Sequence, residues 1–146
     1  MKYFAYGSNM NMNRMRERNI NYSSQKSAKL ENFKLVFNKK AKDGDYSYAN
    51  LEVSEGNFVE GIIYEFPDNE ITNLDKAEGY PIHYDKIKVT VIDENKDQIE
   101  ALTYIAQSDK IVTGLLPTSD YLSHLLAGKF FLTPEYFETL QKTKTI

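Results

Sequence analysis

Six runs of this chain read as strands, and all but Phe58–Phe66 alternate apolar and polar residues with a period of two, the signature of one buried face. They are Lys2–Tyr6, Ala28–Asn38, Tyr46–Val53, Phe58–Phe66, Lys86–Ile92 and Gln98–Ala106. In Lys86–Ile92, Ile87, Val89 and Val91 point one way and Lys86, Lys88 and Thr90 the other. Gln98–Ala106 also carries Leu102 and Tyr104 opposite its Ile99, Ala101, Thr103 and Ile105 face, which predicts a strand covered on both sides. The stretches Lys39–Asp45, Glu55-Gly56-Asn57 and Glu94-Asn95-Lys96-Asp97 read as a loop, a hairpin turn and a second turn. Short joins of this kind make most strand pairs antiparallel. With three or four short helices, six or seven strands define an α+β fold in one domain, residues 1–146.

The helices follow from their stop and start signals. Met12–Arg18 is a short helical run. Asp68 or Asn69 can cap a helix bearing Ile71 and Leu74, and Gly79 is its natural left-handed stop. Thr118 or Ser119 opens a helix with Tyr121, Leu122, Leu125 and Leu126 on its apolar side, ended by Gly128. Thr133-Pro134 opens the last one, with Pro at the first helical position. Gly61 interrupts a strand, which marks a bulge, a sharp bend or a close ligand approach.

Composition narrows the function classes. Eleven Tyr and eight Phe suit a closed or strongly curved sheet lined by rings. A net charge of −3 argues against nucleic acid as a partner. With no Cys, thiolate nucleophiles and Cys-based zinc sites are excluded, and two His far apart leave little for a metal. No apolar run approaches the roughly 20 residues of a membrane helix, and no basic, apolar leader is visible. A soluble cytoplasmic protein, without membrane or nucleic-acid contacts, is the expectation.

Two stretches carry chemistry. The order strand, Gly7, Ser8-Asn9, helix places bare backbone N–H groups at a helix start, a place for an anion or a developing oxyanion. One Gly is too few for a dinucleotide fingerprint or a P-loop. Glu78 is the last residue before Gly79, so its carboxylate faces the negative end of a helix dipole, which favours the protonated form. Burial beside Tyr80, Tyr84 or Ile71 would raise its pKa further, toward a general acid/base. By position alone it better suits a solvent-facing Glu softened by Lys76. His83 reads as a surface loop residue that could also sit near Glu78, His124 as structural, and Arg14, Arg16 and Arg18 as an exposed helix side or an attractor of acidic substrates.

Taken together, these stretches resemble one family. Tyr3-Phe4-Ala5-Tyr6-Gly7-Ser8-Asn9-Met10 is similar to the Tyr-Gly-Ser-Asn signature of the gamma-glutamylcyclotransferase-like family. Leu74-Asp75-Lys76-Ala77-Glu78-Gly79, followed by Tyr84, resembles its Leu-Asp-x-x-Glu-Gly segment, which carries the catalytic Glu. Leu30-Glu31-Asn32-Phe33-Lys34-Leu35 and Thr103-Tyr104 match further motifs, over about the first hundred residues. The resemblance implies a small, mixed, mostly antiparallel β-barrel with peripheral helices. It implies a cofactor-independent carbon–nitrogen lyase that cyclises a gamma-glutamyl group to 5-oxoproline and releases an amino acid or amine. Glu78 would be catalytic, with the main chain of Tyr3, Phe4, Ala5, Tyr6, Gly7, Ser8 and Asn9, together with Tyr121, binding the substrate and no metal involved. The family also includes members acting on gamma-glutamyl amines and on acylated antibiotic intermediates; Tyr6-Gly7-Ser8-Asn9 looks more like the amino-acid branch. The chain is shorter than the family's animal enzymes after the last strand, where the walls that select the leaving group lie. A non-catalytic module that binds a small carboxylate in the same pocket is the alternative. The oligomeric state is not readable from the sequence.

Overall fold

The structure, a computed structural model, describes residues 1–146. Its strands are β1 (Lys2–Ala5), β2 (Ser24–Lys40), β3 (Ser47–Glu65), β4 (Tyr84–Asp93) and β5 (Gln98–Ala106). The helices are α1 (Met12–Glu17), α2 (Ile71–Glu78), α3 (Ser119–Leu126) and α4 (Pro134–Gln141). The strands close a barrel in the order β1-β3-β2-β4-β5. All pairs are antiparallel except β1 with β5, which run parallel and meet at Tyr3 and Leu102.

The barrel has five strands, not six or seven. The expected turn at Glu55-Gly56-Asn57 does not reverse the chain. Instead β3 runs on through it, and the register against β2 jumps from Phe33↔Val53 to Glu31↔Phe58. The surplus residues bulge outward opposite Asn32, whose φ is +66°, and Asn32 Oδ1 accepts the Gly56 N–H at 3.1 Å. A side chain that captures the turn's backbone lets the two strands keep pairing on either side of it. The real hairpin turn joins Lys40 to Ser47. Lys39, expected at the start of that loop, is instead in the ladder opposite Tyr48.

Period-two alternation sorts the core into two layers. Phe4, Leu30, Leu51, Val59, Ile63, Val89 and Val91 fill the barrel. Ala5, Ile62, Tyr64, Tyr104 and Leu125 belong to a second cluster under the helices. β1 serves both, so Tyr3, Phe4 and Ala5 are all buried. Gly61 reflects neither a bulge nor a ligand. A Cβ there would lie 2.3 Å from the Ala5 carbonyl oxygen and 2.9 Å from the Phe4 ring, so β1 crosses too closely for any side chain.

Thr118 and Thr133 cap α3 and α4 by accepting the N–H of Tyr121 and of Tyr136, as their positions predict. Neither Asp68 nor Asn69 caps α2; the Asp68 carboxylate accepts from the Met1 ammonium at 2.7 Å. At its other end Gly79, with φ +70°, stops the helix in the left-handed conformation. No helix is long and apolar enough to cross a membrane.

Candidate active site

The C-terminal end of α2 and the turn after β1 meet at one cleft. Leu74 anchors α2 in the core and is fully buried. One residue on, the Asp75 carboxylate accepts from the Tyr104 hydroxyl of β5 at 2.6 Å and from Lys86 Nζ of β4 at 2.9 Å. Three residues further, Glu78 lies on the same helical face and so is carried toward the barrel. Its Oε1 accepts a hydrogen bond from Asn9 Nδ2 at 2.9 Å. The same Asn9 amide donates to the Tyr3 hydroxyl at 2.9 Å, and Asn9 Oδ1 accepts from Arg18 Nη1. Asn9 is thus a fixed joint between the first strand, α2 and the residue that closes α1.

Tyrosines build the remaining wall. The Tyr6 hydroxyl donates to the Tyr104 carbonyl at 2.6 Å. The Tyr84 hydroxyl donates to the Ala49 carbonyl at 2.9 Å, while the Tyr121 hydroxyl accepts the Ala49 N–H at 3.1 Å. A Cβ on Gly7 would stand 3.3 Å from that of Ala49 and 3.4 Å from the Tyr121 hydroxyl, so the turn fits closely here. The Gly7 amide makes no hydrogen bond within the protein, and Ser8 opens a helical turn whose first N–H groups lack intrahelical partners.

The cavity has two parts. An outer cleft of about 410 Å³ is lined by Arg14, Arg18, Lys39, His83 and Glu78 among others. An inner recess of about 30 Å³ reaches Tyr3, Tyr6, Gly7, Asn9 and Tyr104. Ser8, Glu78, Tyr84 and Tyr121 line both, so the carboxyl stands where they join. Burial pushes the Glu78 carboxyl above the ordinary carboxylate range, against the opposing pull of Arg18, the Asn9 hydrogen bond, Arg14 and Lys39. Burial also pushes Tyr121 up to about 12 and Tyr3, Tyr6 and Tyr84 well above the usual phenol, so all four stay neutral hydrogen-bonding groups.

Several sequence expectations change in three dimensions. Phe4 and Ala5 do not line the cavity; their side chains are in the core, and the Phe4 carbonyl is taken by the Thr103 hydroxyl at 2.7 Å. Tyr3, Tyr6, Gly7, Ser8, Asn9 and Tyr121 do line it. Of the two readings of His83 the one near Glu78 holds: it lines the cleft, and its Nδ1 is 3.0 Å from Lys39 Nζ. Of the three arginines, Arg14 and Arg18, four residues apart, face the cleft, while Arg16 packs over the Tyr22 ring. Ile71 and Tyr80 are not in the cleft; Tyr80 is covered by Lys86 at 4.3 Å. His124 is held at 3.0 Å by Asn11. Asp75, Lys39 and Tyr104 were missed as site builders. Asp75 carried a signal in its spacing of three from Glu78 and Tyr104 in the Thr103-Tyr104 motif, whereas Lys39 carried none.

The site is thus a half-buried carboxyl, pushed above the ordinary carboxylate range by desolvation, at the mouth of the first turn of a small mixed barrel. The sequence pattern described as "Gamma-glutamyl cyclotransferase, AIG2-like" matches residues 3–123. The chain belongs to that family. It is 32% identical to the gamma-glutamylcyclotransferase of Bos taurus over 107 residues, 70% of this chain and 57% of that one. A putative gamma-glutamylcyclotransferase of Drosophila melanogaster is 33% identical over 54 residues, 37% of this chain and 34% of that one. These matches span only about half and a third of the curated relatives. Among solved structures, an uncharacterized Homo sapiens protein superposes with a TM-score of 0.84 at 26% identity, covering 99% of this chain and 88% of the other. A gamma-glutamyl cyclotransferase structure gives 0.82 at 24% identity, covering 100% and 89%, and shares the fold.

Proposed function

We propose that this protein cyclises the gamma-glutamyl group of a gamma-glutamyl amino acid or amine to 5-oxoproline and releases the amino acid or amine. The observation that carries the reading is the Glu78 carboxyl, raised in pKa by burial and fixed by Asn9 of the first turn at the junction of cleft and recess.

The substrate brings its own nucleophile. Its alpha-amino nitrogen attacks the delta-carbonyl carbon, a ring N–C bond forms, and the C–N bond to the leaving group breaks. Glu78 takes the proton from the amine and returns it to the departing nitrogen, so no net proton is gained or lost. Folding the glutamyl chain so that amine and carbonyl meet converts the step to one of orientation, which supplies a large part of the rate enhancement. The main chain at Gly7 and Ser8 holds the glutamyl carboxylate or the oxyanion, and Tyr3, Tyr6 and Tyr121 wall the recess. This chemistry requires no metal or cofactor because nucleophile and leaving group belong to one molecule. The test is to supply gamma-glutamyl-alanine and detect 5-oxoproline by mass spectrometry. Ligand binding without product would leave the non-catalytic alternative.

A further inference from the structure

The outer cleft is far more cationic than a single gamma-glutamyl group demands. Arg14, Arg18, Lys39, Lys42 and Lys76 line it against one carboxyl, Glu78, in a chain whose net charge is −3. None of the molecule's ion pairs uses any of these five cations. Unpaired charge is therefore concentrated where a ligand enters, with low-dielectric walls to focus it.

Lys39 is the most constrained of the five. It is only 3% exposed, an unusual place for an ammonium without a carboxylate partner. Its Nζ donates to the Lys40 carbonyl at 3.0 Å and to His83 Nδ1 at 3.0 Å. His83 can accept there only as the neutral imidazole, and burial and the nearby Lys39 charge hold it neutral. An ammonium has three donors, so one remains for a ligand. The rings of Tyr48 and Tyr84, each 5.8 Å away, flank the charge. His83 is itself set by the end of α2: its backbone N–H donates to the Gly79 carbonyl at 2.8 Å, and a Cβ on Gly79 would fall 2.8 Å from the ring's Cδ2. The turn that positions Glu78 thus also positions the support of Lys39.

We infer that Lys39, propped by His83 and assisted by Lys42 and Arg14, selects a leaving group that carries two acidic groups: the preferred substrate is a gamma-glutamyl conjugate of an acidic amino acid, not of a neutral amino acid or an amine. This rests on the cyclotransferase reading and adds the substrate class. A single alpha-carboxylate on the leaving group uses one of the free cations, and a second carboxylate uses another that otherwise stays unmatched.

The experiment compares kcat/KM for gamma-glutamyl-glutamate, gamma-glutamyl-glutamine and gamma-glutamyl-propylamine, with the native protein. The first pair is nearly isosteric and differs by one charge. The expected order is glutamate over glutamine by at least about tenfold, with the amine lowest, and the ratio shrinks as salt rises from about 0.05 to about 0.5 M, roughly a threefold fall in screening length. Lys39→Gln should bring the glutamate-to-glutamine ratio toward one through KM, with kcat changing less. Should that variant misfold, Lys42→Ala on the exposed rim should lower the same ratio by a smaller factor. A native ratio near one, or one insensitive to salt, overturns this inference while leaving the cyclotransferase reading intact. No 5-oxoproline from any of the three substrates overturns both.

Discussion

Exchanging Glu78 for Gln tests the chemistry at one atom. The amide has the same shape, and its Oε1 can still accept from Asn9 Nδ2, the 2.9 Å contact that fixes the side chain. The lost property is the ability to take a proton. A positioned general base contributes about 10²–10⁴-fold, so kcat should fall by that factor, equivalent to roughly 3–5 kcal/mol in the barrier. Stability should move the other way or not at all. The folded carboxyl titrates above its unfolded counterpart. The native protein is therefore most favoured below the unfolded carboxylate pKa and loses stability as pH rises from there to the folded pKa. The uncharged amide has no such loss, so at pH of about 8 the variant should unfold at an equal or higher urea concentration than the native protein. If the proposed reaction is right, kcat/KM of the native protein should rise with pH on a limb lying above the normal glutamate range, since only the ionised base is active. The assay is 5-oxoproline formation from gamma-glutamyl-alanine, with circular dichroism as the check on fold. A well-folded Glu78→Gln protein within about threefold of native turnover would refute the assignment of the base.

Other substitutions probe how the site is held. Asn9→Leu strips partners from the Tyr3 hydroxyl, Glu78 and Arg18 at once; urea unfolding should show a loss of about 1–3 kcal/mol, with turnover falling more than stability alone explains. Gly61→Ala would ordinarily be harmless or stabilising in a strand, but the Ala5 carbonyl lies 2.3 Å from the new Cβ; destabilisation of about 3 kcal/mol, a drop of roughly 6–12 °C in Tm by calorimetry, is expected. Gly79→Ala faces both φ +70° and the His83 ring at 2.8 Å; it should cost about 1–2 kcal/mol by the same measurement and reduce turnover further by displacing the end of α2.

The legible parts of this molecule are those written in local pattern. Period-two runs identified the strands of β1, β4 and β5 to within a few residues, and Gly79 and the two capping threonines marked helix ends. The bulge at Ser54–Asn57 was not legible, because it depends on Asn32 of the partner strand capturing Gly56. Resemblance singled out Glu78 and the Tyr3–Asn9 turn, and both meet at one cleft. The identity of individual lining groups was another matter. The Phe4 and Ala5 side chains turn into the core and the Phe4 carbonyl is taken by Thr103 of a strand far away in sequence, which no local pattern signals. Lys39 reads as a loop charge until the register with Tyr48 is known. Its unpaired state depends on carboxylates far away in sequence and so has no local signal.

The seam between β1 and β5 has a kinetic consequence. It is closed by a parallel pair at Tyr3 and Leu102, by Thr103 reaching the Phe4 carbonyl, and by Tyr6 reaching the Tyr104 carbonyl, contacts across 98 or 99 positions. Loops of that length close late. A nascent chain can pair its first strand with β3, but that strand's other edge stays open until the fifth has left the ribosome, and only then can the cavity wall close.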